Sequence, residues 1–311
     1  MRKKMAFASL TAAALLLSGC ASGSASTGNS AAPKAGSSNG VEVVGSSLTD
    51  GIAVNNDARN LLPQSIKDAG VLKVGGETDL PPYLFLSNGK LTGVEADMVN
   101  ALGQTLGLKV DITNTKFAAM VTGLVSKRFD VAMSDFSDTA EREKQVTFVD
   151  YTKSGQILVV AKGNPKNINS LDDLCGKSAA GPTGSLSVQL AKDQSKKCTD
   201  AGKAPVQVQE YPTGADTQLA LQNGRVDSMA IDYAIGSYNV QQVPDKIEMA
   251  GQSFALGYHG AAVRPDQKDL QAALEAGLNS MIKDGVYKKI LDQWKVPQMG
   301  MDKVMINGTG Q

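Results

Sequence analysis

The chain has 311 residues, 42% of them hydrophobic, and its 31 Lys and Arg balance 31 Asp and Glu. That balance offers no cationic face for a nucleic acid, and the length suits one large domain or two lobes. A single histidine and three cysteines exclude a histidine-rich zinc centre, and any serine or cysteine nucleophile would have at most one histidine as base.

In chain order, Met1-Arg2-Lys3-Lys4 and the apolar "MAFASLTAAALLLSG" come first, a basic start and a run too short to remain as a spanning helix. We read residues 1–19 as a signal peptide. The run ends in Leu17-Ser18-Gly19-Cys20, which resembles the lipobox of bacterial lipoproteins. The resemblance implies cleavage before Cys20 and a diacylglyceryl group on its sulfur, and two acyl chains anchor where one holds only marginally. Fifteen of residues 21–40 are Ala, Ser or Gly. Such a stretch cannot bury enough apolar surface to offset its ordering entropy, so residues 20–59 read as a lipidated cysteine and a flexible linker. With Cys20 committed, Cys175 and Cys198 stand in a compartment that permits a disulfide, the alternative being two buried free thiols.

Short strands then alternate with amphipathic helices, the pattern of an α/β fold. Strands are expected at 71–76, 110–113, 129–133, 156–163, 177–181, 206–211 and 226–231. Helices are expected at 94–107, 117–125, 185–194 and 214–222, with a helical end from Leu270 to Trp294. "GLVSKRFDVAMS" and "LALQNGRVDSMAID" share one plan, with Arg128-Phe129-Asp130 matching Arg225-Val226-Asp227. Two like units about a hundred residues apart predict two lobes built alike. Ligands of open α/β sheets bind outside the carboxyl ends of strands. Facing lobes would therefore set the polar string "SDFSDTAER" (134–142) and Asp232 across one cleft.

Those residues suit binding. Arg142 can grip a carboxylate bidentately, Ser137 and Ser185 add hydroxyl donors, and Asp232 can take an ammonium. A zwitterionic amino acid presents both groups. "GPTGS" (181–185) opens a helix but lacks the lysine of a nucleotide loop, and no phosphate-binding glycine motif follows a strand. His259, in "GYHG", is expected in a strand or turn near the surface.

From about Gly70 to Pro297 the chain resembles the extracytoplasmic solute-binding proteins of polar amino-acid ABC importers, family 3. The motifs appear in order as "LKVGGETDLPPYLF", "GKLTGVEADMVNALGQTLGLKV", "SDFSDTAEREKQVTFVDYTKSGQILVV", "SLDDLCGK", "GRVDSMAID" and "DGVYKKILDQW". The resemblance implies a two-lobed type II periplasmic-binding-protein fold, each lobe a mixed sheet flanked by helices, with a two-segment hinge near Ser154–Leu158 and Phe254–Gly257. It places lobe 1 at 60–155 plus 255–297, lobe 2 at 156–254 and a C-terminal tail at 298–311. It implies ligand contacts from Glu77, Tyr83, Phe117, Ser134, Asp135, Ser137, Arg142, Thr183, Ser185 and Asp232, with no metal, cofactor or catalytic residue. Leu80 stands where relatives have an aromatic, leaving Tyr83 and Phe117 to stack, and Pro182 and Leu186 depart from the usual polar loop. The implied partners are an amino acid and the membrane permease of an importer, with the chain a monomer; a sensor and a cyclohexadienyl-dehydratase-like enzyme are the alternatives. If Glu77, Asp135, Asp232 and Arg142 all face the ligand, the fixed charge is minus two, which favours a cationic side chain. If Asp135 is turned away, a neutral polar amino acid such as glutamine fits instead.

Overall fold

The computed structural model describes residues 41–42 and 49–310; the signal segment, Cys20 and the Ala/Ser/Gly-rich linker lie outside them. Strand β1 (Val41–Glu42) and helices α1 (Asn56–Asn60) and α2 (Gln64–Ala69) precede β2 (Val71–Gly76). A small antiparallel sheet of β3 (Asp79–Leu80), β4 (Leu84–Ser87) and β5 (Lys90–Thr92) follows. Next come α3 (Val94–Leu106), β6 (Lys109–Asn114), α4 (Phe117–Val125), β7 (Val131–Ala132) and the short α5 (Ala140–Glu143). The long β8 (Thr147–Ala161) then leads to β9 (Ser178–Pro182), α6 (Leu186–Asp200), β10 (Gln207–Tyr211), α7 (Gly214–Gln222), β11 (Ser228–Asp232) and α8 (Tyr233–Gln242). The equally long β12 (Ile247–Val263) returns to α9 (Lys268–Lys283), α10 (Val286–Gln293) and β13 (Met305–Ile306).

These elements make two lobes on one continuous ladder. The large sheet runs β1-β6-β2-β7-β12-β8-β11-β9-β10, with β13 on β8. In the first lobe β2 lies parallel to β6 and β7; in the second, β9 lies parallel to β10 and β11. Only β8 and β12 pass through both, paired antiparallel, and their register slips around Phe254, Gly257 and His259. A strand covered on both faces reads as an unbroken apolar run, whatever the direction of its neighbours. In β8, Ile157 and Val159 enter one core with Ala220 and Ile235, while Leu158 and Val160 enter another with Ala191 and Cys198. Thus α6 covers one face of the second lobe, and α7 and α8 the other. Cys175 and Cys198 are disulfide-bonded, tying the start of β9 to the end of α6.

Several boundaries move for a physical reason. The strands expected to start at Phe129 and Val226 start two residues later, because each shared aspartate is spent on a neighbouring strand. Asp130 accepts the Lys73 N–H at 3.1 Å, and Asp227 accepts the Ser178 N–H at 2.8 Å. The repeated Arg-x-Asp is therefore a strand-docking device, the same in both lobes. Ser185 is not the first residue of α6 but its N-cap, accepting from Val188 N, and the helix runs on to Asp200. The C-terminal stretch packs on the first lobe, where Gly308 and Thr309 donate backbone N–H bonds to Asp150 and Asp138.

Candidate functional site

Strand ends from both lobes build the site. Ser134, just past β7, pins the end of β2, its hydroxyl accepting from Glu77 N and donating to Glu77 O, both at 3.1 Å. Asp135 takes a left-handed backbone, φ +49°, a conformation that costs a non-glycine residue about 1–3 kcal/mol and clusters at functional sites. Its N–H donates to Glu95 Oε2 at 2.6 Å, and its Oδ1 lies 2.8 Å from His259 Nδ1. That second contact is an ion-pair distance off the line a hydrogen bond prefers, leaving both atoms without a hydrogen-bond partner.

Arg142 reaches the second lobe. Its guanidinium stacks 4.3 Å over the Phe136 ring and donates to Ser137 O at 2.6 Å and Gly184 O at 2.9 Å. Burial lowers its pKa to about 10, which still leaves it charged at neutral pH. Gly184 meets this approach because any Cβ there would stand 3.1 Å from Ala118 Cα, and its φ of +78° suits glycine alone. Opposite, Asp232 caps α8. Its Oδ1 accepts from Ala234 N at 2.8 Å and from the Tyr83 hydroxyl at 2.9 Å, while Oδ2 is buried with no hydrogen-bond partner. The pairs Arg142–Gly184 and Tyr83–Asp232 join the lobes, so the cleft is closed.

The cavity left between them is lined by Leu80, Phe117, Asp135, Ser137, Gln156, Pro182, Ser185, Leu186, Ser187, Ile231, Asp232 and Ile235. Five of the ten expected residues are on this wall: Phe117, Asp135, Ser137, Ser185 and Asp232. Glu77, Tyr83, Ser134 and Arg142 support it by the bonds above, and Thr183 is exposed with its hydroxyl on Tyr211 O. Tyr83, expected as a stacking face, is 2% exposed and serves Asp232 through its hydroxyl. A larger groove of about 510 Å³, behind the crossover strands at Lys153–Gly155 and Leu256–Tyr258, contains none of the ten. Asp135 and Asp232 both line the smaller cavity, which is therefore taken as the candidate site.

His259 corrects a sequence expectation. It is not at the surface but 3% exposed, because the long pairing of β12 with β8 carries it inside. Burial by itself would lower its pKa, but Asp135, then Asp232 and Glu95, outweigh that and hold it up at about 9. Asp135, Asp232 and His259 bring donor atoms within 4.8 Å of one another. Glu95, also receiving the Tyr151 hydroxyl, is raised by burial to about 7. No local signal marks His259, since its glycine neighbours read as a turn. Gln156 and Ser187, bonded at 3.1 Å, and Glu95 were also missed; a polar residue inside an apolar strand and an acid on the apolar phase of α3 are the signals that could have found them.

Five of the buried acids share one sign of shift. Burial raises Glu77 and Glu95 to about 7, Asp135 and Asp150 to about 6 and Asp138 to about 8. Each carboxyl, like His259, keeps its proton to higher pH folded than unfolded. The folded chain therefore binds more protons than the unfolded one from the ordinary carboxylate range up to about pH 9, and stability falls as pH rises through that window. The His259 contribution is complete below its ordinary value near 6.5 and lost as pH passes about 9. We expect the ligand-free protein to melt at a higher temperature near pH 5.5 than near pH 8.5, following that linkage. A melting temperature that is flat or rises with pH in a thermal scan would contradict this.

The profile of the bacterial extracellular solute-binding proteins, family 3, matches residues 72–297. The L-cystine-binding protein TcyJ of Escherichia coli is 30% identical over 254 residues, covering 81% of this chain and 92% of its own. The arginine-binding protein ArgT of Corynebacterium glutamicum is 26% identical over 249 residues, covering 79% and 81%. Among solved structures, an ancestral arginine-binding protein bound to arginine is 36% identical with a TM-score of 0.67, covering 72% of this chain and 98% of that one.

Proposed function

Because the chain belongs to the bacterial extracellular solute-binding proteins, family 3, we propose that its cleft captures an amino acid by both charged ends and delivers it to an ABC-type importer. One observation carries the reading: Asp232 Oδ2 is buried on the cleft wall with no hydrogen-bond partner. An α-ammonium gives that oxygen a charged donor. The α-carboxylate then falls to the Arg142 guanidinium, whose fork bonds carboxylates bidentately, with the Ser137 and Ser185 hydroxyls beside it. Ligand bridges the lobes and favours the closed state by its differential affinity. A permease that recognises the closed state completes the import cycle, with the protein tethered through a lipid on Cys20.

The side chain is the finer question. Asp135 is matched by His259, so it leaves the charge tally that favoured a cation. Glu77 remains in it, and Asp79, which the tally did not include, stands nearby with Lys116 between the two. Those two acids favour a positive group beyond the α-carbon. The arginine and cystine named for the relatives both carry one, a guanidinium or a second ammonium. Capture, as opposed to lyase chemistry, is supported by Arg142 and Asp232 being arranged to hold two fixed charges; the sensing alternative differs only in its membrane partner. A thermal-shift screen of the twenty amino acids together with cystine tests the reading. Stabilisation is expected from at least one member bearing a second positive group, and stabilisation by none would overturn it.

A further inference from the structure

Three side chains at the junction of the lobes carry buried atoms with no hydrogen-bond partner: Asp135 Oδ1, Asp232 Oδ2 and His259 Nδ1. The residues are 8%, 2% and 3% exposed, and one donor atom from each lies within 4.8 Å of the other two. Among the described residues this is the one group of three His, Cys, Asp or Glu with donor atoms so close. Neighbours hold each member in place. Asp232 Oδ1 takes the Tyr83 hydroxyl and the Ala234 N–H, which fixes the carboxylate and leaves Oδ2 over. The Asp135 N–H is bound to Glu95 Oε2, and His259 is carried by β12 opposite Thr152. Outer bonds of this kind orient the ligands of metal sites.

An ammonium satisfies Asp232 Oδ2 and leaves the other two atoms as they were. A divalent cation satisfies all three at once. Its two charges match the two carboxylates, with the imidazole ligating in its neutral form and its proton passing to solvent. Zinc bonds nitrogen and carboxylate oxygen at about 2.0–2.2 Å, which sets its donors on the order of 3–4 Å apart. A modest inward movement of the three side chains reaches that spacing. We propose that Asp135, Asp232 and His259 form a site for a divalent transition-metal cation of the zinc type, which competes with the amino acid. The competition rests on the reading of Asp232 as the seat of the α-ammonium; the metal site stands without it. One imidazole and two carboxylates suit such an ion, whereas calcium takes about six to eight oxygens and magnesium keeps its waters. Asp135 follows β7 of the first lobe and Asp232 ends β11 of the second, so the ion ties the lobes together with the ammonium seat filled.

Titration of the ligand-free protein, prepared without a histidine tag, with zinc, magnesium and calcium salts tests the proposal. His259 is the only histidine of the chain, so its imidazole resonances report on this site alone. One equivalent of zinc should shift them, and calorimetry should show zinc bound about tenfold or more tighter than magnesium or calcium. Asp232→Asn, which keeps an acceptor for both bonds at Oδ1, should lose about tenfold or more of the zinc affinity without a large change in melting temperature. Saturating zinc, at a fixed free concentration, should weaken the best amino acid of the screen by about tenfold or more. Unmoved His259 resonances, or equal zinc affinity in Asp232→Asn, would overturn the metal site and leave amino-acid capture standing. Shifted resonances with undiminished amino-acid affinity would overturn the competition and place the ammonium away from Asp232. Zinc binding with no amino acid bound at all would keep the metal site and remove both the competition and the capture reading.

Discussion

Asp232→Asn should weaken ligand binding by about a hundredfold or more, since leaving a buried charge without its partner costs about 2–5 kcal/mol at an interface. Asparagine is the informative replacement, not alanine. Asp232 Oδ1 caps α8 and receives the Tyr83 hydroxyl, so alanine would also remove a cap worth about 1 kcal/mol and strand a buried phenol. The amide keeps an acceptor for both bonds and removes only the charge that Oδ2 offers to an ammonium. Calorimetry with the best ligand of the screen should therefore show the loss, while the melting temperature without ligand moves little. Near-normal affinity would place the ammonium elsewhere in the cleft; a large fall in the ligand-free melting temperature would make Asp232 a structural residue.

His259→Leu should destabilise the ligand-free protein by about 3–5 kcal/mol, the usual cost of breaking a buried ion pair by removing one partner. For a domain of this size that is on the order of 10 °C in melting temperature. The mechanism is specific. Asp135 is 8% exposed, its Oδ1 faces His259 Nδ1 at 2.8 Å, and Glu95 and Asp232 lie close enough to act on the same imidazole. With the imidazolium gone, Asp135 must take up a proton or stay charged among acids. Adding Asp135→Asn to His259→Leu should then return much of the stability, because both charges leave together. A His259→Leu protein that melts within a degree or two of wild type would show the pair to be idle.

Much of the fold was legible because it rests on local periodicity. The apolar runs of β2, β8 and β11 and the phase of α3 are written in consecutive residues, and the repeat around Asp130 and Asp227 announces two similar lobes. The candidate site was legible where chemistry alone names a residue: Ser137 and Asp232 fall on the cavity wall, and Arg142 reaches from one lobe to the other. It was opaque where long-range pairing decides. Nothing around His259 signals burial, because burial comes from a strand partner about a hundred residues earlier in the chain, through His259 opposite Thr152. The charge tally left open whether Asp135 faces the ligand; it lies on the cavity wall with its carboxylate beside His259, a contact made by a strand distant in sequence. Lys116 was not singled out at all, since a lysine before a helix is ordinary until Glu77 and Asp79 are set beside it.

The route of β12 also fixes an order of assembly. Val263 to Gly260 lie opposite Thr147 to Asp150 of β8, and Ala262 pairs with Ala132 of β7, so the middle strand of the first lobe's sheet comes from late in the chain. Helices α9 and α10, which cover that lobe, come later still. An emerging chain holds β1 to β7 early but cannot close the sheet until residues beyond about 260 are free. The second lobe draws its strands and helices from the continuous stretch between the two crossings. It can therefore condense while the first still waits for its last pieces. The earliest segments to appear are the last to be enclosed, and through that interval the edges of β7 and β8 that β12 will join are open to pairing with a neighbouring chain.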